Sequence, residues 1–254
     1  MADNKYNNPI TKRNGIDNAN GSCNSNNQMA ARTSSLTNQA QDLPGNLFNR
    51  DLISVRYPRG RQTESLRTLR TRLLNICKDN SFFQSIAVLS PQQKDGRTFI
   101  AANLASLFSQ LELRTLLIDA DFRRPRQHNV FNLPNKVGLS TTLVQQPRKS
   151  DIHSIQGIPN LYVIPSGPIP PNPQELLSQP YFKHLIALAR QKFEVVIIDT
   201  PAADQVADFE IIAKIANTAL VVAKKHTTSS KKLQKLAERV ESTKINIAGL
   251  FLNK

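Results

Sequence analysis

Residues 85 to 105 read SIAVLSPQQKDGRTFIAANLA, and this stretch decides the fold. An uninterrupted apolar run (85–89) leads into a short polar turn that contains one glycine, Gly96. A second apolar segment follows from Thr98. Continuous rather than alternating hydrophobicity is typical of a strand that is covered on both faces. The stretch therefore predicts a buried strand, a tight turn and a helix.

The turn resembles a phosphate-binding loop, whose usual form is G-x-x-x-x-G-K-[ST]. Gly96 lets the backbone approach a phosphate, Thr98 supplies a hydroxyl for Mg²⁺, and the helix amino terminus attracts an anion. Two positions differ from the usual form: Pro91 replaces the first glycine and Arg97 replaces the lysine. Arginine keeps the positive charge, but its planar fork is bulkier than an ammonium. We therefore expect its phosphate contact to be placed differently.

The rest of the chain repeats the alternation of apolar runs and helical segments. Further strands are predicted at 114–121, 161–167, 194–201, 218–224 and 247–253. Helices are predicted near 98–110, 174–191, 205–217 and 229–242, after a first amphipathic helix marked by Leu66, Leu69, Leu73 and Ile76. This order predicts the α/β class, with a doubly wound, mostly parallel sheet flanked by helices.

Acidic residues stand where two of the apolar runs stop. Asp119 and Asp121 end one run and Asp199 ends another. Ligands of doubly wound sheets bind at the carboxyl ends of the strands. Asp199 is therefore either a carboxylate that orients Mg²⁺ or a strand-end residue that caps the next turn. Asp119 and Asp121 repel each other, so a cation beside them is favourable.

Three arginines follow these aspartates in the sequence RRPR. Arg123, Arg124 and Arg126 form either a solvated basic turn that neutralises the carboxylates, a clamp for phosphate oxygens, or a docking surface for a neighbouring subunit. The residues alone leave these readings open.

Composition separates the first fifty residues from the remainder. Residues 1–50 are rich in Asn and lack grouped apolar residues, which predicts a disordered tail before a nucleotide-binding domain over residues 51–254. The formal net charge of +14 favours anionic partners. Cys23 and Cys77 have neither metal-ligand nor disulfide-framework spacing, and no membrane span or signal peptide is evident. We expect a cytoplasmic protein.

Four segments, taken in order, resemble the bacterial tyrosine kinases (BY-kinases) of capsule and exopolysaccharide synthesis, which are relatives of the ParA and MinD ATPases. They are ESLRTLRTRL (64–73), LLIDADFRRP (116–125), SGPIPPNPQELLSQP (166–180) and VVIIDTP (195–201). The first matches the family's E-x-x-R-x-x-R helix, the second its A′ motif and the last its Walker B strand. The loop at 90–98 then stands as a degenerate Walker A motif.

The resemblance implies that the protein binds ATP and Mg²⁺ and transfers phosphate to tyrosine. It implies nucleotide-binding residues in the loop: Lys94, Asp95, Gly96, Arg97 and Thr98. It implies metal-holding residues: Thr98, Asp119, Asp121 and Asp199. It implies a catalytic set in which one aspartate accepts the tyrosine proton: Asp119, Asp121 and Arg97.

The resemblance also implies partners. Glu64, Arg67 and Arg70 would help one subunit dock on the next in a homo-oligomeric ring, and their spacing leaves them beside the leucine stripe, free to meet a neighbour. A membrane polysaccharide copolymerase would be a separate chain that recruits the protein to the inner face of the cell membrane.

Two departures from the family leave alternatives open. Arg97 replaces the lysine, and the tyrosine-rich C-terminal tail is missing, since the tyrosines are Tyr6, Tyr57, Tyr162 and Tyr181. The chain is then an active kinase, or a pseudokinase scaffold of the same machinery, or a ParA/MinD-type partition ATPase that holds DNA. The E-x-x-R-x-x-R helix and GPIPPNPQELL (167–177) are not features of partition ATPases, so we do not expect a nucleic-acid partner.

Overall fold

The computed structural model describes residues 48–79, 85–145, 151–204 and 206–254, all within one compact unit. The predicted disordered tail lies outside the described residues up to position 47. Phe48 is buried in the core, and the N–H of Asn49 donates to the carbonyl of Val130 at 3.2 Å. The packed part of the chain therefore includes these two residues, while the division at residue 50 stays a prediction.

A seven-stranded sheet with the order β3-β4-β2-β5-β1-β6-β7 forms the centre of the described chain. Its strands are β1 (Ser85–Leu89), β2 (Thr115–Asp119), β3 (His153–Ser154), β4 (Leu161–Ile164), β5 (Val195–Asp199), β6 (Thr218–Lys224) and β7 (Asn246–Asn253). All pairings are parallel except that of β3 with β4. The predicted doubly wound, mostly parallel α/β fold is confirmed. The sequence did not reveal β3, because two residues carry no readable hydrophobic period.

Helices cover both faces of the sheet. They are α1 (Ile53–Arg56), α2 (Arg61–Asp79), α3 (Arg97–Ser109), α4 (Gln127–Val130), α5 (Leu139–Gln145), α6 (Pro173–Ser178), α7 (Pro180–Lys192), α8 (Asp208–Ala216) and α9 (Ser230–Ser242). The single helix predicted over 174–191 was wrong. Gln179 has an extended backbone, with φ −66° and ψ 145°, because the residue before a proline avoids the helical region.

Two core layers lie on opposite faces of the sheet. Along β1, Ala87 and Leu89 belong to one layer, whereas Ile86 and Val88 belong to the other. Every residue of β1, β2 and β5 is buried, which explains why their sequences are continuous apolar runs. Burial on this scale contributes about 1.5–3 kcal/mol for each large apolar side chain.

The central strands bring the predicted site residues together. Strand β5 lies between β1 and β2, and Asp119 pairs in register with Asp199. The carboxyl ends of the three strands therefore meet at one edge of the sheet, where ligands of this architecture bind. Among the helices in the described ranges, none is long and apolar enough to cross a membrane.

Candidate functional site

The loop between β1 and α3 is held in shape by a buried carboxylate. Asp95 is 1% exposed, and its oxygens accept hydrogen bonds from the Gln92 N–H at 3.2 Å and the Thr228 hydroxyl at 2.7 Å. The side chain of Asp95, a predicted nucleotide-binding residue, is thus used within the protein to hold the loop. Lys94 is exposed and has a φ of 65°.

Gly96 has a backbone conformation that residues with a side chain rarely adopt. Its φ is 98°, and a Cβ atom there would lie 2.2 Å from Asn253 Nδ2. That amide closes on the loop because it donates to the Asp95 carbonyl at 3.1 Å. Helix α3 starts at the next residue, and the first N–H groups of a helix have no intrahelical partner. The loop and the helix start therefore have the geometry that can accept an anion.

Arg97 is placed under the loop and is bound by its own chain. Its Nε donates to the Thr200 carbonyl at 2.8 Å, its Nη1 to Ser90 Oγ at 2.6 Å, and its Nη2 lies 3.4 Å from Asp121 Oδ2. The residue is 8% exposed. The guanidinium therefore neutralises a carboxylate of the site, where a lysine in the usual motif would extend to the phosphates.

The buried carboxylates at the ends of β2 and β5 form a carboxylate floor, made of Asp119, Asp121 and Asp199. Asp119 accepts hydrogen bonds from the backbone N–H groups of Asp121, Arg126 and Gln127, at 3.2, 3.0 and 3.0 Å. Asp121 accepts from the next two arginine N–H groups, at 3.2 and 3.0 Å. Backbone donors orient both side chains and stabilise their ionised forms.

Burial and crowding raise the pKa values of the carboxylate floor. Burial, followed by repulsion from Asp199, raises the pKa of Asp119 well above its usual range. Burial raises the pKa of Asp199 to about 6, against the opposing charge of Arg97 and the Thr98 hydroxyl. Burial also raises the pKa of Asp121, although Arg97 opposes this shift. Added positive charge beside the floor is therefore favourable.

A cavity of about 640 Å³ lies over the loop, lined by Gly96, Arg97, Thr98 and Asp121 among others. Asp119 and Asp199 have no exposed surface and do not line the cavity, whereas Thr98, whose hydroxyl lies near the Asp199 carboxylate, does. Of the two aspartates predicted to accept a proton, Asp121 is therefore the one that faces the cavity.

The donor set fits Mg²⁺ with few protein ligands. Within the described ranges, no group of three or more His, Cys, Asp or Glu side chains is arranged to hold a metal ion. Asp199 Oδ1 is buried with no partner at hydrogen-bond distance, and the Thr98 hydroxyl lies near enough to favour the ionised carboxylate. Mg²⁺ commonly binds one or two protein oxygens and completes its shell with phosphates and water. A chelate of all three predicted aspartates does not match this geometry.

The three arginines after the floor line the cavity mouth and form an arginine rim, made of Arg123, Arg124 and Arg126. Arg123 Nε donates to the buried Asp208 carboxylate at 3.1 Å, and Arg124 contacts Gln93 Oε1. All three rim residues are exposed. Their charges stand where an anionic ligand would enter the cavity.

The charged residues of α2 lie away from the cavity and are used partly within the chain. Arg67 forms an ion pair with Glu64 and donates to the Pro58 carbonyl at 2.6 Å. Arg70 donates to the Leu107 carbonyl at 3.0 Å, and burial lowers its pKa. The sequence predicted that these residues are free to meet a neighbour. Within this chain, however, both arginines contact other residues, whereas the Glu64 side chain is 60% exposed.

Three residues of the site were missed by the sequence reasoning: Ser90, Gln127 and Thr200. Ser90 and Thr200 directly follow β1 and β5, so their place at strand ends was the signal that could have revealed them. Gln127 carries no such signal, because α4 has only four residues and no hydrophobic period.

The assembled site brings a glycine-containing loop at a helix start, a hydroxyl and a carboxylate floor to one end of a parallel sheet. These parts define a P-loop nucleotide-binding fold. The septum site-determining protein MinD from Pyrococcus horikoshii, solved with Mg-ADP, has the same fold, with a TM-score of 0.58 and 19% identity over 66% of this chain and 69% of that one. No protein-family model matches the chain.

Sequence relatives identify the family to which the chain belongs within this fold class. The chain is 34% identical over 209 residues to the tyrosine-protein kinase YwqD of Bacillus subtilis, covering 82% of this chain and 88% of that protein. It therefore belongs to the family of bacterial tyrosine-protein kinases. The tyrosine-protein kinase wzc of Salmonella typhimurium is also 34% identical, over 80% of this chain but only 28% of wzc. The solved chimerical protein CapA2B2 superposes with a TM-score of 0.76 and 32% identity, over 87% of this chain and 98% of that one.

Proposed function

We propose that the protein binds ATP with Mg²⁺ and transfers the terminal phosphoryl group to a tyrosine hydroxyl. The observation that carries the proposal is the position of Asp121 in the cavity wall, beside Thr98 and the Gly96 loop. Phosphoryl transfer depends mainly on positioning and charge neutralisation, and this site supplies both. Membership of the tyrosine-kinase family supports the acceptor class.

Each part of the site has a role in this proposal. The Gly96 loop and the start of α3 bind the phosphates through N–H groups. Thr98 and Asp199 would hold Mg²⁺, which neutralises charge on the phosphates when bound. Asp121 accepts the tyrosine proton, because a carboxylate with a raised pKa is a better base than an ordinary one. Asp119 holds the loop after β2 in place through its three N–H contacts.

A second candidate is a pseudokinase scaffold. The hydrogen bonds that hold the Arg97 side chain within its own chain favour this candidate. The guanidinium makes three contacts with its own chain, so it is poorly placed to follow a phosphoryl group in transfer. Both candidates predict Mg²⁺-ATP binding through backbone donors. Calorimetry at millimolar ATP tests this shared step, and a flat titration would leave only a scaffold without nucleotide.

Replacing Arg97 by lysine separates the two candidates. We expect Arg97→Lys to raise transfer of radiolabel from ATP to tyrosine, since an ammonium on a flexible stem reaches the phosphates. Arg124→Lys on the arginine rim is the matched control, and we expect it to change transfer less than twofold. If the wild type transfers label and Arg97→Lys transfers the same amount or less, the arginine is adapted to the reaction; if neither protein transfers label, the scaffold is supported.

We further propose a role in capsule or exopolysaccharide synthesis, with a membrane copolymerase as a separate chain that brings the protein to the inner face of the membrane. Family membership supports this assignment. We also propose a homo-oligomer in which Glu64, exposed on α2, meets the neighbouring subunit. Co-expression with the copolymerase and recovery of both chains from the membrane fraction tests the partnership. Light scattering of Glu64→Lys against the wild type tests the oligomer.

A further inference from the structure

Gln127 is completely buried and connects three parts of the site. It is the first residue of α4, and its side chain has no solvent exposure. Its backbone N–H donates to Asp119 Oδ2 at 3.0 Å. Its side-chain Nε2 donates to Asp199 Oδ2 at 2.9 Å and to the Thr98 carbonyl at 3.2 Å. One residue therefore joins the ends of β2 and β5 to the start of α3.

The amide orientation follows from its surroundings. Nε2 faces two oxygen acceptors, so exchanging the amide oxygen and nitrogen would set oxygen against oxygen. This orientation fixes Asp199 Oδ2 and leaves Asp199 Oδ1 as the oxygen without a partner at hydrogen-bond distance. Gln127 Oε1 is likewise buried, and no donor in the described chain reaches it. Two buried oxygen acceptors at the floor therefore have no hydrogen-bond donor within the described chain.

The neutrality of the amide matters as much as its position. A buried lysine or arginine at this place would neutralise Asp199 and compete with a cation for it. Glutamine instead donates hydrogen bonds and leaves the negative charge in place. Gln127 can therefore orient the carboxylate without weakening its attraction for a metal ion.

We infer that Gln127 is a positioning residue, which fixes Asp199 Oδ2 and keeps Oδ1 without a protein partner, as a ligand for the Mg²⁺ of a bound nucleotide. This inference rests on the proposed nucleotide function. Loss of the Gln127 amide should therefore reduce the increase in nucleotide affinity that Mg²⁺ causes. The affinity without Mg²⁺ should not change, since the Gly96 loop binds the nucleotide itself.

The test compares ADP affinity with Mg²⁺ and with EDTA, measured by calorimetry on the full chain. Gln127→Met keeps the length of the side chain and removes its donors. We expect the ratio of the two affinities to fall about tenfold, with the EDTA affinity unchanged within about twofold. Gln110→Met is the matched control, because Gln110 follows α3 at its far end and contacts the Ser54 carbonyl. We expect that variant to keep the wild-type ratio.

Gln127→Lys guards against a folding defect, because an ammonium keeps a donor beside the carboxylates and satisfies their charge. We expect it to fold, to bind ADP in EDTA at least as tightly as the wild type, and to lose the Mg²⁺ enhancement. A ratio within twofold of the wild type in either folded variant overturns the inference. If the wild type binds no ADP at all, the proposed function is wrong and the inference falls with it.

Discussion

The carboxylate floor and the arginine rim lie at the same edge of the sheet, yet they are built in opposite ways. Asp119 and Asp199 have no exposed surface and are oriented by backbone or amide donors. Arg126 on the rim is exposed, and the Arg124 side chain contacts the flexible side chain of Gln93 at the loop, although Arg123 is held by the buried Asp208 carboxylate. The floor is fixed before a ligand arrives, whereas Arg124 and Arg126 of the rim can adapt to one.

The two regions differ in their effect on stability, because the buried carboxylates lower the free energy of unfolding and the exposed arginines do not. Paired carboxylates at the ends of neighbouring strands repel each other, and burial makes that repulsion stronger. The solvated rim carries no comparable cost, because water screens its charges. Substitutions in the floor should therefore change stability and catalysis strongly, whereas substitutions in the rim should change mainly the binding of anions.

The largest effect is expected at Asp121. Asp121→Asn keeps the shape of the side chain but removes the base, so we expect tyrosine phosphorylation to fall by about 10²–10⁴-fold. ADP affinity should change little, since the Gly96 loop is untouched. Arg126→Ala on the rim serves as the comparison, with a loss of a few-fold at most. Transfer that survives Asp121→Asn within tenfold assigns the base elsewhere.

An intermediate effect is expected at Asp199, and it depends on pH. Its pKa is about 6 in the folded chain, above the value of about 4 for an unfolded aspartate. The folded state therefore holds the proton more tightly, and this stabilising contribution is complete below about pH 4 and lost as the pH rises through 6. Asp199→Asn has no charge to bury, so it should be stabilised relative to the wild type at pH 7.5.

The measurement is urea unfolding of both nucleotide-free proteins at pH 4.5 and pH 7.5. We expect the free energy of unfolding of Asp199→Asn, relative to the wild type, to increase by about 2 kcal/mol between the two pH values. Saturating Mg²⁺-ADP should cancel the advantage, since the metal neutralises the carboxylate of the wild type. An equal difference at both pH values would show that Asp199 is ionised without penalty.

The smallest effect is expected on the rim. Arg126→Ala should weaken ATP binding by about two- to fivefold at low salt and by less at 0.5 M salt, because screening removes an exposed charge interaction. The melting temperature should stay within about 1 °C of the wild type. A loss that is equally large at high salt would place Arg126 in direct, desolvated contact with the nucleotide.

The sequence predicted the parallel sheet and the position of the three aspartates at strand ends, because both features depend on local sequence pattern. Buried parallel strands are readable as apolar runs, and strand ends are readable as the points where those runs stop. Ser90 and Thr200 could be located at strand ends, but nothing in the sequence indicates that both contact Arg97. Gln127 was not readable either, because a four-residue helix has no period. What remained hidden were long-range contacts between short polar segments.

The contact of Asn253 with the Gly96 loop has a consequence for the order of assembly. Asp95 and Asn253 are 158 residues apart in sequence, and the amide that closes on the loop comes from strand β7. Asn253 is the last residue of β7, so its amide can reach the loop only when β7 lies beside β6 in the sheet. The loop therefore reaches its binding geometry only after β7 has joined β6, so the ability to bind phosphate reports a finished sheet.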